Sequence, residues 1–419
     1  MPWMIVLACL VCQIGMGLGA YLFPVFLKPV AEDLGWSRTT YAAAQPLMSA
    51  AVALAGPLVG RLADRDARPV LAFGGLLMSV VLLLAGGMNT PGEFYAIAIG
   101  VGVAVACLGD LPTSAVIAPR LGRHRGLALG MVFVGSNIGG AVGPLLATSL
   151  AAGGSWRAGF SGIGSVLWIF LLPAAFAIGR PLAKARERPA EARVRPAEAR
   201  VRPAEARERP AEARVLGVSP RAALGSRDFW MIAWALFAFY FYRIGINTHL
   251  VAWLSDLGYS DGAAAAQFSA MIGIGLAGKL VAGAFADRIG VRPAVLVNFS
   301  LLVAASVLLL LPQVPGAIGL FLLLHGLASA AEDVVVPLLV GQRFGTLHLS
   351  AIYGLLLLAL VPGGAAGPLI AGWIFDSGAG YGPVFFAFVI ANLSAVLALA
   401  SVGRGAVRRA DLVTEGNNA

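Results

Sequence analysis

The hydrophobic positions of the chain form long continuous runs that are separated by short polar connections. A run of about 20 apolar residues is long enough for a helix to cross the hydrocarbon core of a bilayer. We number the twelve runs as spans 1 to 12, at residues 4–27, 40–60, 69–88, 94–118, 126–150, 157–179, 229–254, 264–285, 293–312, 316–340, 349–373 and 381–403. The pattern predicts an all-α polytopic membrane protein. Because no small-residue cleavage site follows span 1, we expect a retained helix and not a signal peptide.

The two groups of six spans repeat each other at a shift of about 223 residues. Three stretches match in register: Gly60, Asp64 and Arg65 with Gly283, Asp287 and Arg288; Asp110, Arg120 and Gly122 with Asp333, Arg343 and Gly345; and GGAVGPLLA from Gly139 with GGAAGPLIA from Gly363. Internal similarity at a fixed period indicates copies of one structural unit. The sequence therefore predicts two pseudo-symmetric six-helix bundles, of the kind in which a transporter rocks its halves around a central site.

The connection between the bundles is charged and of low complexity. Residues 188–215 read RPAEARV RPAEARV RPAEARE RPAEARV, and a proline in each repeat interrupts any long helix. Residues 180–227 carry thirteen Lys and Arg against six Glu, a net charge of +7, so attraction to anionic lipid is a modest hypothesis. The predicted organisation is a bundle at 1–180, a solvated linker at 181–227, a bundle at 228–405 and a tail at 406–419.

Composition supports a membrane protein. The chain is 59% hydrophobic with a mean hydropathy of +0.84, and 12% of its 419 residues are charged, about half the roughly 25% of soluble domains. Cys9, Cys12 and Cys107 all lie in apolar runs, so we expect buried thiols and neither a disulfide nor a metal site. No cofactor is expected.

The distribution of charge indicates the orientation of the chain. The formal net charge is +9, but the basic residues concentrate on alternate connections, which is a topological pattern and does not indicate nucleic-acid binding. By the positive-inside rule, both termini and the middle linker are expected in the cytoplasm, with the protein in the inner membrane.

Ionisable side chains inside the spans are the main candidates for function, because they are costly in a bilayer. Lys279 lies about 12 Å from the cytoplasmic end of span 8, and Arg243 is central in span 7. Asp110, Asp333 and its neighbour Glu332 fall at a similar depth, and only one of the last two is expected to face a cavity, because adjacent helical positions differ by about 100°. These charges either neutralise one another in buried pairs or handle a ligand and a proton. His249 either gates, binds or is a satisfied polar residue.

Proton coupling would require an acid that takes up a proton near neutral pH. A carboxyl group removed from water holds its proton more readily. We expect Asp110 or Asp333 to carry this proton, with Glu332 as the next candidate.

The paired turn gives a candidate gate. Gly60 would permit close packing, while Asp64 and Asp287 would cap the following helix or pair with a cation from the other half, with Arg65 and Arg288 beside them. Such contacts would hold one access state shut. The alternative is that these residues are only turn formers and topological signals.

This turn resembles the characteristic Gly-x-x-x-Asp-Arg-x-Gly-Arg of the major facilitator superfamily. It occurs at Gly60 to Arg68 with Ala67 in place of the second Gly, and again after span 8 with Gly290 present. The resemblance covers the whole chain except the linker, and it implies the major facilitator fold and transport by alternating access.

Span 5 begins RHRGLALGMVFVGSNIG from Arg123, which is similar to the helix-5 signature of the monocarboxylate transporter family. In that family an arginine on helix 8 holds the substrate carboxylate, and the matching position here is Lys279. The cationic position that the family has in helix 1 falls near Tyr21 in this chain. The acid that the family has in helix 8 is replaced by Gly275, and the acidic Gly-Trp start of the family is reduced to Pro2-Trp3. The related oxalate/formate antiporter has a second cation on helix 11, which this chain lacks.

The resemblance and the central charges together predict a secondary transporter that moves a small organic anion, a monocarboxylate, with protons. We expect Lys279, Arg243, Tyr21 and His249 to line the substrate site. An exporter of amphipathic compounds or drugs and an organic-anion exchanger are the alternatives. A sensor or a membrane enzyme is disfavoured, because no phosphate-binding loop, metal cluster or Ser/His/Asp set occurs. The expected partners are the anion, protons and the lipid bilayer, and we expect a monomer.

Overall fold

The computed structural model describes residues 2–121, 125–152, 155–177, 217–345 and 348–403. The repetitive linker at 188–215, Gly122, Arg123 and the tail lie outside these residues. In the first half the helices are Pro2–Ala20, Phe23–Leu34, Arg38–Ala42, Ala44–Ala85, Pro91–Leu108, Asp110–Leu121, Arg125–Ala151 and Trp156–Ala177.

The second half repeats this pattern of long helices. Its α-helices are Pro220–Leu224, Arg227–Asp256, Asp261–Ile289, Val291–Leu308, Ala317–Phe344, Leu349–Leu356, Leu360–Ile374 and Gly382–Ser401. A 3-10 turn, Leu357–Ala359, and a π turn, Phe375–Ala379, interrupt and end span 11.

The predicted spans are confirmed. Within the described residues, eleven segments are long and apolar enough to cross a membrane. The helix Trp156–Ala177, with 22 residues, occupies the position of predicted span 6. The chain thus has the twelve-helix arrangement that the hydrophobic pattern predicts.

Three spans are broken near their middle, and prolines and a glycine account for the breaks. Span 1 breaks at Tyr21 and Leu22, just before Pro24, and span 4 breaks at Gly109, whose ψ of −157° is not helical. Span 11 passes through its 3-10 turn just before Pro362. Proline lacks the N–H that would bond to the carbonyl four residues earlier and clashes with that carbonyl.

The connection between spans 2 and 3 differs from the predicted turn. The helix continues through Gly60 and Asp64, and only Asp66 leaves helical geometry, with φ −154° and ψ 111°. Asp66 Oδ1 accepts the N–H of Arg68 at 3.0 Å. The expectation that Asp64 lies past the end of span 2 and caps the next helix is therefore wrong, because Asp66 occupies the capping position.

The repeated glycine motif has the same packing role in both halves. A Cβ at Gly139 of span 5 would overlap the carbonyl oxygen of Ile14 in span 1. At Gly367 of span 11, a Cβ would likewise overlap the carbonyl oxygen of Phe241 in span 7. Both copies therefore allow the fifth helix of a half to approach the first at backbone distance, which supports the predicted pseudo-symmetry.

The two halves meet through spans 1 and 7, spans 2 and 11, and spans 5 and 8. Each half has its own hydrophobic core, while Tyr21 of the first half packs against the core of the second. The contacts of spans 1 and 2 lie where span 2 begins and spans 7 and 11 end. We call this the Arg38 end, and we call the opposite end, where span 8 ends, the Asp287 end.

Candidate functional site

A salt bridge between spans 8 and 10 lies at the centre of the bundle. Lys279 Nζ is 2.8 Å from Asp333 Oδ2, and the two side chains are 34% and 44% exposed. The pair thus lies deep in its two spans and is still accessible. The structure therefore brings together two of the residues that the sequence singles out, and in this conformation it gives Lys279 a carboxylate partner.

The neighbouring acids Glu332 and Asp333 have opposite environments. Asp333 is exposed, whereas Glu332 is completely buried at 0% exposure. Neither carboxyl oxygen of Glu332 has a hydrogen-bond partner. Of these two neighbouring acids, Asp333 is thus the accessible one in this conformation.

Asp110 reaches the same region from the first half. It begins the second segment of span 4, directly after the break at Gly109. Gln13 of span 1 donates its Nε2–H to Asp110 Oδ1 at 2.8 Å. Asp110 also interacts electrostatically with Lys279 and Asp333. Asp110, Lys279 and Asp333 are accessible and come from both halves, and we call the region between the halves that they border the central cleft.

Arg243 of span 7 is the second cation of this region. It is half-buried, and its guanidinium carbon lies 5.7 Å from the centre of the Phe239 ring. It interacts electrostatically with Asp333, Tyr21, Tyr240 and Glu332. Within the part of the chain that the structure describes, no carboxylate lies within salt-bridge distance of Arg243, so its charge is not matched by a direct partner.

Tyr21 lies at the break in span 1 and bridges the halves. Its ring centre is 6.3 Å from that of Phe268 in span 8, and it is within electrostatic range of Arg243. The break thus places the partly buried Tyr21 next to the charged cluster that the sequence predicts.

Gly275 of span 8 packs closely on span 10. A Cβ at this position would lie 3.0 Å from Ala330 Cβ and 3.2 Å from the Gly326 carbonyl oxygen. A side chain at this position would therefore require span 10 to move by a few tenths of an ångström. The acids near Lys279 are instead Asp333 on span 10 and Asp110 on span 4.

The Arg38 end is closed by a cluster of contacts that the sequence analysis missed. Arg38 Nη1 lies 2.6 Å from Asp256 Oδ2, and Arg38 Nη2 donates to Asp256 Oδ1 at 2.9 Å. The guanidinium stacks at 3.7 Å over the Phe375 ring, and Lys28 adds a 3.1 Å contact to Asp256. We call Arg38, Lys28, Asp256 and Asp376 the Arg38 lock.

Asp376 completes the lock from span 11. Its Oδ1 accepts the N–H of Arg38 at 3.0 Å, and its Oδ2 accepts the N–H of Thr39 at 2.8 Å and the Thr39 hydroxyl at 2.5 Å. A carboxylate from the second half thus binds the first N–H groups of a helix in the first half, an arrangement that the helix dipole favours. Spans 2 and 11 are held together at this end.

His249 belongs to this lock and not to the charged cluster of the cleft. Arg38 Nη1 donates to the Tyr381 hydroxyl at 2.7 Å, and that hydroxyl lies 2.9 Å from His249 Nδ1. His249 Nε2 lies 2.9 Å from the Pro368 carbonyl oxygen. Because a carbonyl only accepts, Nε2 carries the hydrogen and Nδ1 accepts from Tyr381. Both ring nitrogens are therefore occupied by protein partners in this conformation.

Among the described residues, the turn residues at the Asp287 end form no comparable set of contacts between the halves. Arg65, Asp287 and Arg288 are exposed, and the side chain of Asp64 lies outside the described part of the structure. At Gly60 no atom lies within 4 Å of where a Cβ would be, and at Gly283 the nearest is Val334 Cγ1 at 3.9 Å. The close packing expected at Gly60 is absent in this conformation. The contacts between the halves that the described residues show are thus those of the Arg38 end.

The sequence contained a signal for the Arg38 lock. Lys28, Arg38 and Arg157 are cations on connections that otherwise lack basic residues. A cation that departs from the positive-inside bias needs a reason. Arg38 and Lys28 each form an ion pair with Asp256. Arg157 pairs with Asp33, whose Oδ2 lies 3.7 Å from Arg157 Nη2.

A cavity of about 930 Å³ also lies at the Arg38 end, between the ends of spans 1, 5, 6 and 8. Glu32, Asp33, Arg157 and Asp261 contribute its charges, and it contains none of the sequence-predicted site residues. Among the described residues, no three His, Cys, Asp or Glu side chains are grouped to hold a metal ion, and the three cysteines are buried and form no disulfide.

Two helical bundles around a charged cleft that is sealed at one end define a membrane transporter of the alternating-access type. The chain belongs to the Major Facilitator Superfamily, which matches residues 9–323 and 250–415. No curated protein matches the sequence.

Solved transporters share the fold at low sequence identity. One is a bacterial homologue of the human lysosomal transporter Spinster in an inward-facing, unoccupied conformation, with a TM-score of 0.70, 15% identity, and coverage of 95% of this chain and 94% of that one. Another is the nucleoside transporter NupG, with a TM-score of 0.74, 13% identity, and coverage of 95% and 98%. At this identity the likeness establishes the fold alone.

Proposed function

We propose that the chain is a secondary active transporter that moves a small organic anion, a monocarboxylate, together with protons. One observation carries the proposal, namely that the half-buried Arg243 has no carboxylate within salt-bridge distance among the described residues. A cation inside a membrane protein is costly unless an anion is near it. A substrate carboxylate would supply that charge during each transport cycle.

The surroundings of Arg243 fit a small amphipathic anion. Tyr21, Phe239 and Tyr240 provide aromatic surface, while the guanidinium can bind a carboxylate through two parallel N–H bonds. Lys279, the position that resembles the anion-holding residue of the monocarboxylate transporter family, lies in the same cleft. It can contact the substrate once Asp333 releases it.

The membrane orientation is part of the proposal. With both termini and the 181–227 linker in the cytoplasm, the Arg38 lock faces the outside of the inner membrane. The described conformation would then be closed outward and open inward. Breaking the lock and closing the Asp287 end would expose Arg243 to the other side.

The test is uptake of radiolabelled lactate, pyruvate and benzoate into proteoliposomes with an imposed pH gradient. We expect the wild type to accumulate at least one of these acids when the outside is acidic. Arg243→Gln should lose most of this uptake. Arg157→Gln, which removes a cation outside the cleft, is the matched control and should retain it.

Three results would redirect the proposal. Transport of a hydrophobic dye without any of the acids would favour an exporter of amphipathic compounds. Uptake that requires an anion on the opposite side of the membrane and does not depend on pH would favour an organic-anion exchanger. Equal uptake by Arg243→Gln and the wild type would remove Arg243 from the site.

A further inference from the structure

Span 4 is broken beside the central cleft, and an acid begins its second segment. The first segment, Pro91–Leu108, ends at Gly109, and the second, Asp110–Leu121, starts at an exposed Asp110. Asp110 therefore lies in the first turn of a helix, where the helix dipole favours a negative charge. Discontinuous helices are also places where secondary transporters bind ions.

Two buried polar side chains of the first half meet Asp110 at this break. Gln13 of span 1 and Thr113 of span 4 are both 0% exposed. Gln13 Nε2 lies 2.8 Å from Asp110 Oδ1 and 3.4 Å from Thr113 Oγ1. A carboxylate oxygen and a hydroxyl oxygen therefore converge on one end of the Gln13 amide.

The other end of the Gln13 amide is unmatched. Gln13 Oε1 is buried and has no hydrogen-bond partner among the described residues. A buried acceptor without a donor is unfavourable, because its hydrogen bonds to water are not replaced. A half-turn of the amide would bring Oε1 to face Asp110 and Thr113, but acceptor oxygens would then face one another. A positively charged ligand between these oxygens removes the conflict.

We infer that Asp110, Gln13 and Thr113 form a binding site for a sodium ion, which their side-chain oxygens Oδ1, Oε1 and Oγ1 coordinate once the amide has turned. Hard cations bind oxygen ligands of these kinds, and cleft water can complete the shell because Asp110 is exposed. One carboxylate matches one positive charge, whereas a divalent ion would leave an uncompensated charge inside the span. The short distances at the amide favour sodium over the larger potassium ion.

The sodium site goes beyond the proposed function, because it concerns a cation other than the proton and does not depend on the identity of the substrate. It differs from the expectation based on the sequence, in which Asp110 carries a proton.

The position of the site connects it with the cleft. Asp110 interacts electrostatically with Lys279 and Asp333 of the second half. A bound sodium ion would offset the negative charge of Asp110, which otherwise repels an anion in the cleft. If the cleft binds the proposed anion, sodium and anion should therefore increase each other's affinity, since the coupling between two binding sites is reciprocal.

Equilibrium binding of radioactive sodium to the purified protein in detergent tests the site without a substrate. We expect saturable binding at neutral pH that excess unlabelled sodium displaces and choline does not. Asp110→Asn should abolish this binding. Thr113→Val, which keeps the shape but removes the hydroxyl oxygen, and Gln13→Met, which keeps the length, should each weaken it by roughly tenfold or more, since even partners outside the ligand shell contribute about that much.

Ser79→Ala is the matched control for Thr113→Val. Ser79 is likewise fully buried in the first half, and its hydroxyl donates to the Gly75 carbonyl at 2.9 Å, as the Thr113 hydroxyl donates to the Gly109 carbonyl at 2.8 Å. Ser79→Ala should bind sodium like the wild type. Equal weakening in Ser79→Ala and Thr113→Val would assign the effect to helix packing and overturn the site. Undiminished binding by Asp110→Asn would overturn it as well.

Uptake assays test the coupling and separate this inference from the proposed function. With lactate, pyruvate or benzoate, whichever the wild type accumulates, replacing choline by sodium should raise the apparent affinity by about fivefold or more, and Asp110→Asn should lose this effect. Absence of sodium binding by the wild type would overturn the sodium site and leave the transporter of organic anions intact. Failure to move any of the three acids would overturn the proposed function, and sodium binding in detergent would still decide the site.

Discussion

Arg38 and Asp256 form a two-point ion pair across the boundary between the two halves of the protein. The guanidinium nitrogens Nη1 and Nη2 lie 2.6 Å and 2.9 Å from the two carboxylate oxygens. Arg38 begins span 2 and Asp256 ends span 7, so the pair exists only while the halves are together at this end. This makes the Arg38 lock a state-specific contact, unlike a salt bridge within one half.

Breaking the Arg38–Asp256 pair is expected to shift the protein toward the conformation that is open at the Arg38 end. Charge-assisted hydrogen bonds contribute about 1.5 to 3 kcal/mol, so Asp256→Asn should change the equilibrium by roughly ten- to hundredfold. The measurement is labelling of Ile272→Cys, between spans 5 and 8, by a membrane-impermeant thiol reagent. The native cysteines are first replaced by alanine.

The Asp33–Arg157 pair provides the matched control for this experiment. Both residues lie at the same end of the bundle, but both belong to the first half. Asp33→Asn should therefore leave the labelling rate near that of the background protein. The exchange of charges in Arg38→Asp combined with Asp256→Arg should recover part of the closed state, and equal labelling of Asp256→Asn and Asp33→Asn would contradict the lock.

Gly372 allows span 11 to close against span 2, and we predict that an added methyl group prevents this closure. A Cβ at Gly372 would lie 2.8 Å from both N and Cα of Thr39, where only backbone could yield. Gly372→Ala should therefore accumulate in the state open at the Arg38 end and lose net transport.

A glycine with free space tests whether this effect is specific to closure. At Gly262 no atom lies within 4 Å of the position that a Cβ would occupy. Gly262→Ala should transport normally and label at the background rate. Full transport by Gly372→Ala would show that the halves need not approach so closely.

Sequence periodicity was sufficient for the architecture, because a membrane span is a local property of about 20 residues. The internal repeat matched Gly139 with Gly363, and in the structure each of them packs against the first helix of its own half. The breaks within the spans were harder to predict from the sequence. Gly109 interrupts span 4 inside a continuous apolar run, and only the structure shows that Asp110 begins a new helical segment there.

The central cluster was predictable because charges inside spans are rare, whereas their pairing was not. Sequence spacing gave the depth of Lys279, but not its choice of Asp333 on another helix. The Arg38 lock was missed because its members lie at span ends, where charged residues are ordinary. The role of these charged residues depends on which side chains of the two halves face each other, and that is set by tertiary packing.

The turn residues at the Asp287 end are expected to control the exchange between access states. Asp287 and Arg288 are exposed in this conformation and would approach the other half only when the Asp287 end closes. Asp64→Asn and Asp287→Asn should therefore slow transport while leaving substrate affinity within a few-fold. Rates come from uptake in proteoliposomes and affinities from binding in detergent. A large loss of binding with normal turnover would contradict the gating role.

Lys279 is predicted to bind the substrate carboxylate directly, and its salt bridge with Asp333 allows a sharp test. Losing one charge-assisted hydrogen bond, about 1.5 to 3 kcal/mol, should weaken binding of the best carboxylate by roughly ten- to hundredfold in Lys279→Gln. Lys279→Arg should retain part of the affinity, because the positive charge remains. Binding is measured with purified protein in detergent.

The same loss of affinity would occur if Lys279 only neutralised Asp333, because an unpaired carboxylate would repel the anion. The double variant Lys279→Gln, Asp333→Asn separates the two roles by removing both members of the 2.8 Å pair. If Lys279 contacts the substrate, the double variant should bind as weakly as Lys279→Gln. Recovery to near wild-type affinity would show that Lys279 only neutralises Asp333 and that Arg243 alone binds the anion.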